Sequence, residues 1–529
     1  MGIKDDLIWG KDPTDRIISI ETVDNKIVIF RQNENNEIET IERPATFWFL
    51  TNRYISSKQE LLEGNQHYRH IGKFSTLKER DDVVRKLKKN NIDFYRIFNH
   101  KEQTLTYEGM TYFKGLHPNM VSILSFDIET TGLVHNADSL VLIISNTYRD
   151  SNGKITRKLF ALDDYASEKD MLVAWIKWVR KINPSIMCGH NIFGFDLPYL
   201  QFRARANKIW LTLGRDGSSL RFDPYETAFR VNGSNDIDFF NAHIFGREII
   251  DTMFLSYKHD IVDQNYESYA LKSIVRYEGL EKPDRTFIDS SKIRDYWKYR
   301  NTDPEMMNMW KLTKVYAEED SDDALKLFDL QAPPLFYFSQ HISKTFQQIA
   351  NSATGAQINN FLVRSYLQTG HSVAKTTELV EHVKGGISFA VPGIYRNLYK
   401  IDLKSCYPSQ ILRFKLYDAD KDPFAHFYQM VEHFTLERFA LKKKFKETGD
   451  VYYEGREKSS KIFINSAYGL CNTPGLNYNS PKTASKITGE SRKVIDFALK
   501  WASSKGVDYW MDLFEQKTKK KKQIENEDA

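Results

Sequence analysis

A chain of 529 residues is longer than one hydrophobic core serves and divides into roughly three to four domains. Its 75 basic and 70 acidic residues leave a net charge of +5, too balanced for bulk charge alone to mark a nucleic-acid binder. Three scattered cysteines (Cys188, Cys406, Cys471) offer no disulfide framework or metal-knuckle spacing and suit a reducing, intracellular compartment. The start, MGIKDDLIWG, lacks an apolar leader, and no run of about 18 apolar residues could span a membrane, so a soluble protein is expected.

Taken in order, residues 1–115 hold short β-type runs such as Ile17–Ile20 and Lys26–Phe30 between polar turns, which predicts a small β-rich domain. Residues 116–335 alternate strand and helix signals. An apolar run, Val121–Ile128, ends in acids and a turn at Gly132, and runs at 140–145 and 158–162 can pair with it. A helix is predicted from Glu168 to Arg180, then a strand at 185–188 leading into GHNIFGFDLPYL; the alternation is that of an α/β domain. Residues 336–430 contain a predicted helix over 342–354, the glycine-rich VKGGISFAVPG, and a strand at 398–403 that opens a second α/β unit. Within 431–482, helical sequence at 431–446 turns at Gly449–Asp450 and resumes over 455–470, a helical hairpin. A last helix in 483–510 carries an apolar stripe (Ile487, Val494, Ile495, Phe497, Ala498), and 511–529 reads as a charged, disordered tail.

Asp127 and Glu129 are two apart on a predicted strand, so both carboxylates leave from one face. An isolated pair of this kind is usually a surface or turn feature, but this one ends a seven-residue apolar run, where burial is costly unless a cation compensates. Asp196 follows GHNIFGF at a strand-to-helix junction, where a helix cap is the simpler role. Tyr316 and Asp320 are four apart in LTKVYAEEDSDD and share a helical face; Glu318, Glu319, Asp322 and Asp323 around them suit a solvated acidic helix equally well. Brought together, four carboxylates could hold two Mg²⁺ ions (Mn²⁺ as the alternative), one activating water and the other stabilising a departing 3′ oxygen. Tyr316 would orient the water or the phosphate, and Asn191 and Phe195 would hold a terminal nucleotide.

FDIETTG, GHNIFGFDLPYL and YAEED resemble, in order and separation, the three motifs of the 3′-5′ proofreading exonuclease of family B DNA polymerases. DLKSCYPS resembles the first palm motif of that family and KIFINSAYG its finger-helix motif. The resemblance implies a ribonuclease H-like exonuclease domain, a partial palm and helical-hairpin fingers. It implies that Asp402 ligates two metal ions, with Leu403 and Ser405 beside the triphosphate and Tyr407 under the incoming sugar. Arg438, Lys442, Lys461 and Asn465 would clamp the phosphates, Lys461 serving also as general acid, a grouping consistent with the charge of a phosphoryl-transfer transition state. Tyr468 and Gly469 would face the nascent base pair. Lys384, Gly385 and Gly386 resemble the DNA-contacting linker, although Val383 replaces the usual tyrosine, and TGESR at 488–492 resembles a segment that follows the fingers. Primer–template DNA, dNTPs and a sliding clamp or other replication proteins are the implied partners.

The chain departs from the family after the fingers. No D-T-D-like hairpin follows, and Asp508 and Asp512 stand in the wrong context to replace it. Four readings remain open: a split polymerase, of a kind a virus or phage could carry, with the rest of palm and thumb on a second polypeptide; a fragment of a longer gene; a stand-alone 3′-5′ exonuclease; and a non-catalytic DNA-binding subunit. A partnered chain should expose an apolar, strand-edged surface near 398–403 and 495–510.

Overall fold

The computed structural model describes residues 5–516 except 137, 232–234, 262, 379–384, 389, 392, 395 and 397–402, and omits the side chains of 231, 235 and 236. The N-terminal region has two antiparallel sheets. Ile17–Val23, Lys26–Gln32 and Ile38–Pro44 form a meander; Gln59–Leu61, His70–Phe74, Phe47–Thr51 and Phe94–Tyr95 form a four-stranded sheet in that order. Helices Leu77–Lys89 and His100–Glu108 accompany the second sheet, so the region is mixed rather than purely β.

The central sheet runs Ile155–Ala161, Val141–Arg149, Ile123–Thr130, Ile186–Gly189, Glu248–Asp251; the first three strands pair antiparallel and the last three parallel. Its last two parallel strands are buried throughout, as expected where helices cover both faces. One cover is helix Glu168–Ile182, begun by Ser167, whose hydroxyl accepts from the Asp170 amide; its Trp175 packs on Phe126. The other is the 28-residue helix Pro304–Gln331, started by Pro304 at its first position and by Asp303, which accepts from the Glu305 amide at 2.8 Å. A long hairpin, Arg221–Val231 with Asn235–His243, precedes the last strand.

Helices Pro333–Ser339, Phe346–Asn351 and Thr354–Gln368 bind this unit to the N-terminal region through Phe113, which stacks on Phe336 at 4.1 Å. The single helix expected over 342–354 is instead broken. Thr345 caps Phe346–Asn351 in a reciprocal capping box, and extended Ser352 and Ala353 (ψ 162° and 142°) start a new helix at Thr354. The finger hairpin is longer than its sequence signals: His426–Thr448 ends at Gly449 (φ +67°), and Asp450 caps Val451–Asn472. Phe434 and Phe463 stack across it at 3.7 Å. In Pro481–Ser503 the expected apolar stripe is only partly covered. Ile487 is fully buried, whereas Phe497 is 71% exposed. The strand expected at 398–403 lies outside the described residues except Leu403. The stretch 495–510 is largely helical rather than strand-edged, and 507–516 forms a helix through the start of the expected tail. No helix among the described residues is long and apolar enough to cross a membrane.

Candidate metal and nucleotide sites

Along strand Ile123–Thr130 the side chains alternate. Phe126 faces Trp175, while Asp127 and Glu129 face the long helix that brings Tyr316 and Asp320. Oxygens of Asp127, Glu129 and Asp320 lie within 4.8 Å of one another, the one such group of potential metal ligands among the described residues. Neither Asp127 nor Glu129 accepts a side-chain hydrogen bond from a described residue. Burial drives the Asp127 carboxyl well above the usual range, reinforced by Asp196, Asp320 and Glu129. Burial and Asp320 push Glu129 up to about 8. Three gathered carboxylates, two of them without a paired cation, are a poor structural arrangement and a good cation site: hard oxygen donors in this number fit Mg²⁺ or Mn²⁺.

Asp196 stands outside that threesome. It opens helix Asp196–Ala206, and one of its oxygens accepts from the Ile128 amide at 3.1 Å, tying it to the strand between the two acids. Burial raises its carboxyl well above the usual range, with its own amide and that of Ile128 opposing the shift. Asn191 has φ +61° and its amide donates to Asp251 at 2.8 Å; Phe195 packs on Tyr199 at 5.4 Å, and both Asn191 and Phe195 are partly exposed.

Three side chains that no motif singled out shape the centre. Asp251 is fully buried and takes the amides of Asn191, Phe193 and Met253, holding the turn before Asp196. Lys272 donates to Tyr316 Oη and lies 3.3 Å from Asp320 Oδ2. Arg285, also buried, reaches Asp320, Glu319 at 2.7 Å and Asp323 at 3.0 Å. The acidic run is therefore not a solvated face: Glu319, Asp320, Asp322 and Asp323 are all buried, and Asp322 pairs with Arg157 at 2.8 Å. Burial raises the Asp320 carboxyl, with Lys272 and Arg285 opposing the shift. These partners come from a loop and a short helix 35 and 48 residues before Asp320, too far for spacing to reveal them.

The second group of residues meets where the fingers approach helix Cys406–Phe414. Tyr407 and Tyr468 lie 4.9 Å apart, and a Cβ on Gly386 would come within 2.8 Å of Tyr407 Oη, so any larger residue there would have to displace that ring. Arg492, from TGESR, donates to the Gly385 carbonyl at 2.6 Å. Ser405 (φ +50°) accepts from Arg438 at 2.8 Å, and Arg438 also pairs with Glu457 at 2.7 Å. Lys442, Lys461 and Asn465 face solvent; Leu403 and Gly469 are partly exposed. Asp402 and Lys384 lie outside the described residues.

Residues 79–274 match the family model for the exonuclease domain of family B DNA polymerases. The chain is 25% identical over 432 residues to a DNA polymerase of Pyrococcus glycovorans, covering 73% of this chain and 52% of that protein. It is 24% identical over 436 residues to DNA polymerase 1 of Pyrococcus abyssi (strain GE5 / Orsay), covering 74% and 53%. The solved family B DNA polymerase of Pyrobaculum calidifontis superposes with a TM-score of 0.69 at 19% identity, covering 92% of this chain and 71% of that one. The chain thus carries a family B exonuclease domain and shares the archaeal family B fold, and it spans about half the length of the curated relatives it matches.

Proposed function

We propose that this chain is a metal-dependent 3′-5′ DNA exonuclease and, in its finger region, the nucleotide-gripping part of a DNA-directed DNA polymerase site that a second polypeptide completes. The observation that carries the first half is the convergence of Asp127, Glu129 and Asp320 within 4.8 Å. These three, with Asp196 beside them, would hold two divalent ions. Such ions, when bound, supply a water nucleophile at neutral pH and compensate charge on the scissile phosphate. The protein's own part is positional. Asp251 fixes the turn that presents Asn191 and Phe195 to the terminal nucleotide, and Lys272 and Arg285 hold Asp320 and Tyr316 in place.

In the second half, the paired rings of Tyr407 and Tyr468 would support the incoming deoxynucleotide, with Gly469 beside the base pair. Arg438, Lys442, Lys461 and Asn465 would take its phosphates, with Lys461 as general acid, while Asp402, Leu403 and Ser405 line the metal side. Lys384, Gly385 and Gly386 would follow the DNA. The second polypeptide, carrying the remaining palm aspartate and thumb, would cover the helix that leaves Phe497 and Trp501 exposed by 71% and 76%.

The test of the nuclease is digestion of a 5′-labelled single strand with Mg²⁺ or Mn²⁺. A ladder receding from the 3′ end, absent with EDTA and in Asp127→Ala with Glu129→Ala, supports the reading. Digestion that survives the double substitution overturns it.

A further inference from the structure

The sheet that carries the acidic centre ends, at its opposite edge, in a cavity of the opposite charge. Ile123–Thr130 and Ile186–Gly189 run parallel. Pro184 and Ser185 therefore lie where these strands begin, roughly 20 Å along the strand from Glu129 at about 3.3 Å per residue. There a cavity of about 460 Å³ is lined by Lys177, Arg180, Lys181, Arg215 and Arg247. Among the described residues none of the five pairs with a carboxylate. The neighbouring acid, Asp216, is exposed and accepts from the Ser218 amide at 2.9 Å.

Both loop arginines are held by neutral groups. Arg215 donates to the Gly246 carbonyl and to Asn183 Oδ1, each at 2.7 Å, and Arg247 donates to the carbonyls of Leu213 (2.9 Å) and Pro184. Burial lowers Arg215 to about 9, with Arg247 adding repulsion, and lowers Arg247 to about 10. A structural role explains part of this. Arg180 and Lys181 offset the dipole at the end of helix Glu168–Ile182, and each arginine ties loops together through carbonyls. The Pro184 carbonyl accepts from both Arg215 (3.3 Å) and Arg247 and so sets the two guanidiniums together. It does not explain why their charges lack a carboxylate among the described residues, nor why Lys177, more than a turn from the helix end, joins them. An anion does explain it, because guanidinium forks match phosphate oxygens and the charge relieves their repulsion.

We propose that this cavity is a phosphate-binding site separate from the acidic centre, with Arg215 and Arg247 as its floor and Lys177, Arg180 and Lys181 as its rim. Its phosphate could come from a free pyrophosphate or from the backbone of a single DNA strand. The proposal stands independently of whether the chain polymerises.

The test uses the full chain in EDTA, titrated with inorganic pyrophosphate by calorimetry and with a fluorescein-labelled dT12 strand by anisotropy. The rim variant is Lys177→Gln, Arg180→Gln and Lys181→Gln. The control, Lys86→Gln, Lys88→Gln and Lys89→Gln, removes the same charge from another exposed surface. Pyrophosphate affinity about tenfold weaker in the rim variant alone would establish a free-anion site. A loss confined to dT12, its log–log salt slope shallower by about 0.7 for each phosphate contact removed, would establish a backbone site. Rim and control variants matching the unsubstituted chain on both ligands, or no binding of either ligand by that chain, would overturn the proposal.

Discussion

The acidic centre and the finger face use opposite charges, and they differ in how much of each the described residues show. At the first, carboxylates from a strand, a helix start and a long helix converge, and Lys272 and Arg285 brace one of them from behind. At the second, the described residues contribute rings, hydroxyls and cations, while the nearby acids Glu437 and Glu457 are engaged by Arg456 and Arg438. A site that needs metal ligands from within one folded unit can be judged from this chain. The metal ligand expected at the second, Asp402, lies outside the described residues, so only the cationic side of that site is described.

Substitutions can break that contrast. The largest effect is expected for Asp127→Ala with Glu129→Ala: nuclease turnover should fall by on the order of 10³-fold or more, since losing one group that stabilises developing charge typically costs 10²–10³. Arg285→Met should cost about 10–100-fold in nuclease activity or metal affinity, the usual range for a residue that orients a metal ligand. Titration by Mn²⁺ of the unsubstituted and variant chains would check it, and an unchanged titration curve would assign Arg285 to packing alone.

A third expectation concerns pH. Glu129 keeps its proton in the folded chain up to about 8, whereas an ordinary glutamate releases it near 4.5. The folded state therefore binds more protons across that window, and metal-free stability falls as pH rises through it. Divalent ions must displace that proton at low pH but not at high pH. The rise in melting temperature with Mg²⁺ should thus be larger at about pH 8 than at about pH 5, and equal rises would remove the buried carboxylate from the account. The smallest effect is expected for Phe497→Ser with Trp501→Ser. Stability should change by no more than about 0.5 kcal/mol, as for exposed positions generally, while any binding to the proposed second polypeptide is lost. Marked destabilisation, read by denaturant unfolding, would show that these rings already pack within the chain.

Much of the acidic centre was legible because its residues sit at local spacings: two along a strand, four along a helix. Asp251, Lys272 and Arg285 were not, because each acts across tens of residues with no periodic signature. The same limit explains the helix break at Ser352–Ala353, where alternative capping by Thr345 competes with a continuous apolar pattern. It also explains Phe497: periodicity identifies an apolar face but not whether anything covers it. The finger hairpin was legible from Gly449 and Asp450, and only its length was underread: Phe427 and Met430, before its expected start, are buried helical residues.

The proposal of a working nuclease beside a polymerase site that a second polypeptide completes is tested most directly by purified chain and Mg²⁺ on a 5′-labelled primer–template, with and without dNTPs. The account predicts digestion of the primer without extension, abolished by Asp127→Ala with Glu129→Ala. Extension by this chain alone, retained in that double variant and lost in Asp402→Ala, would contradict it.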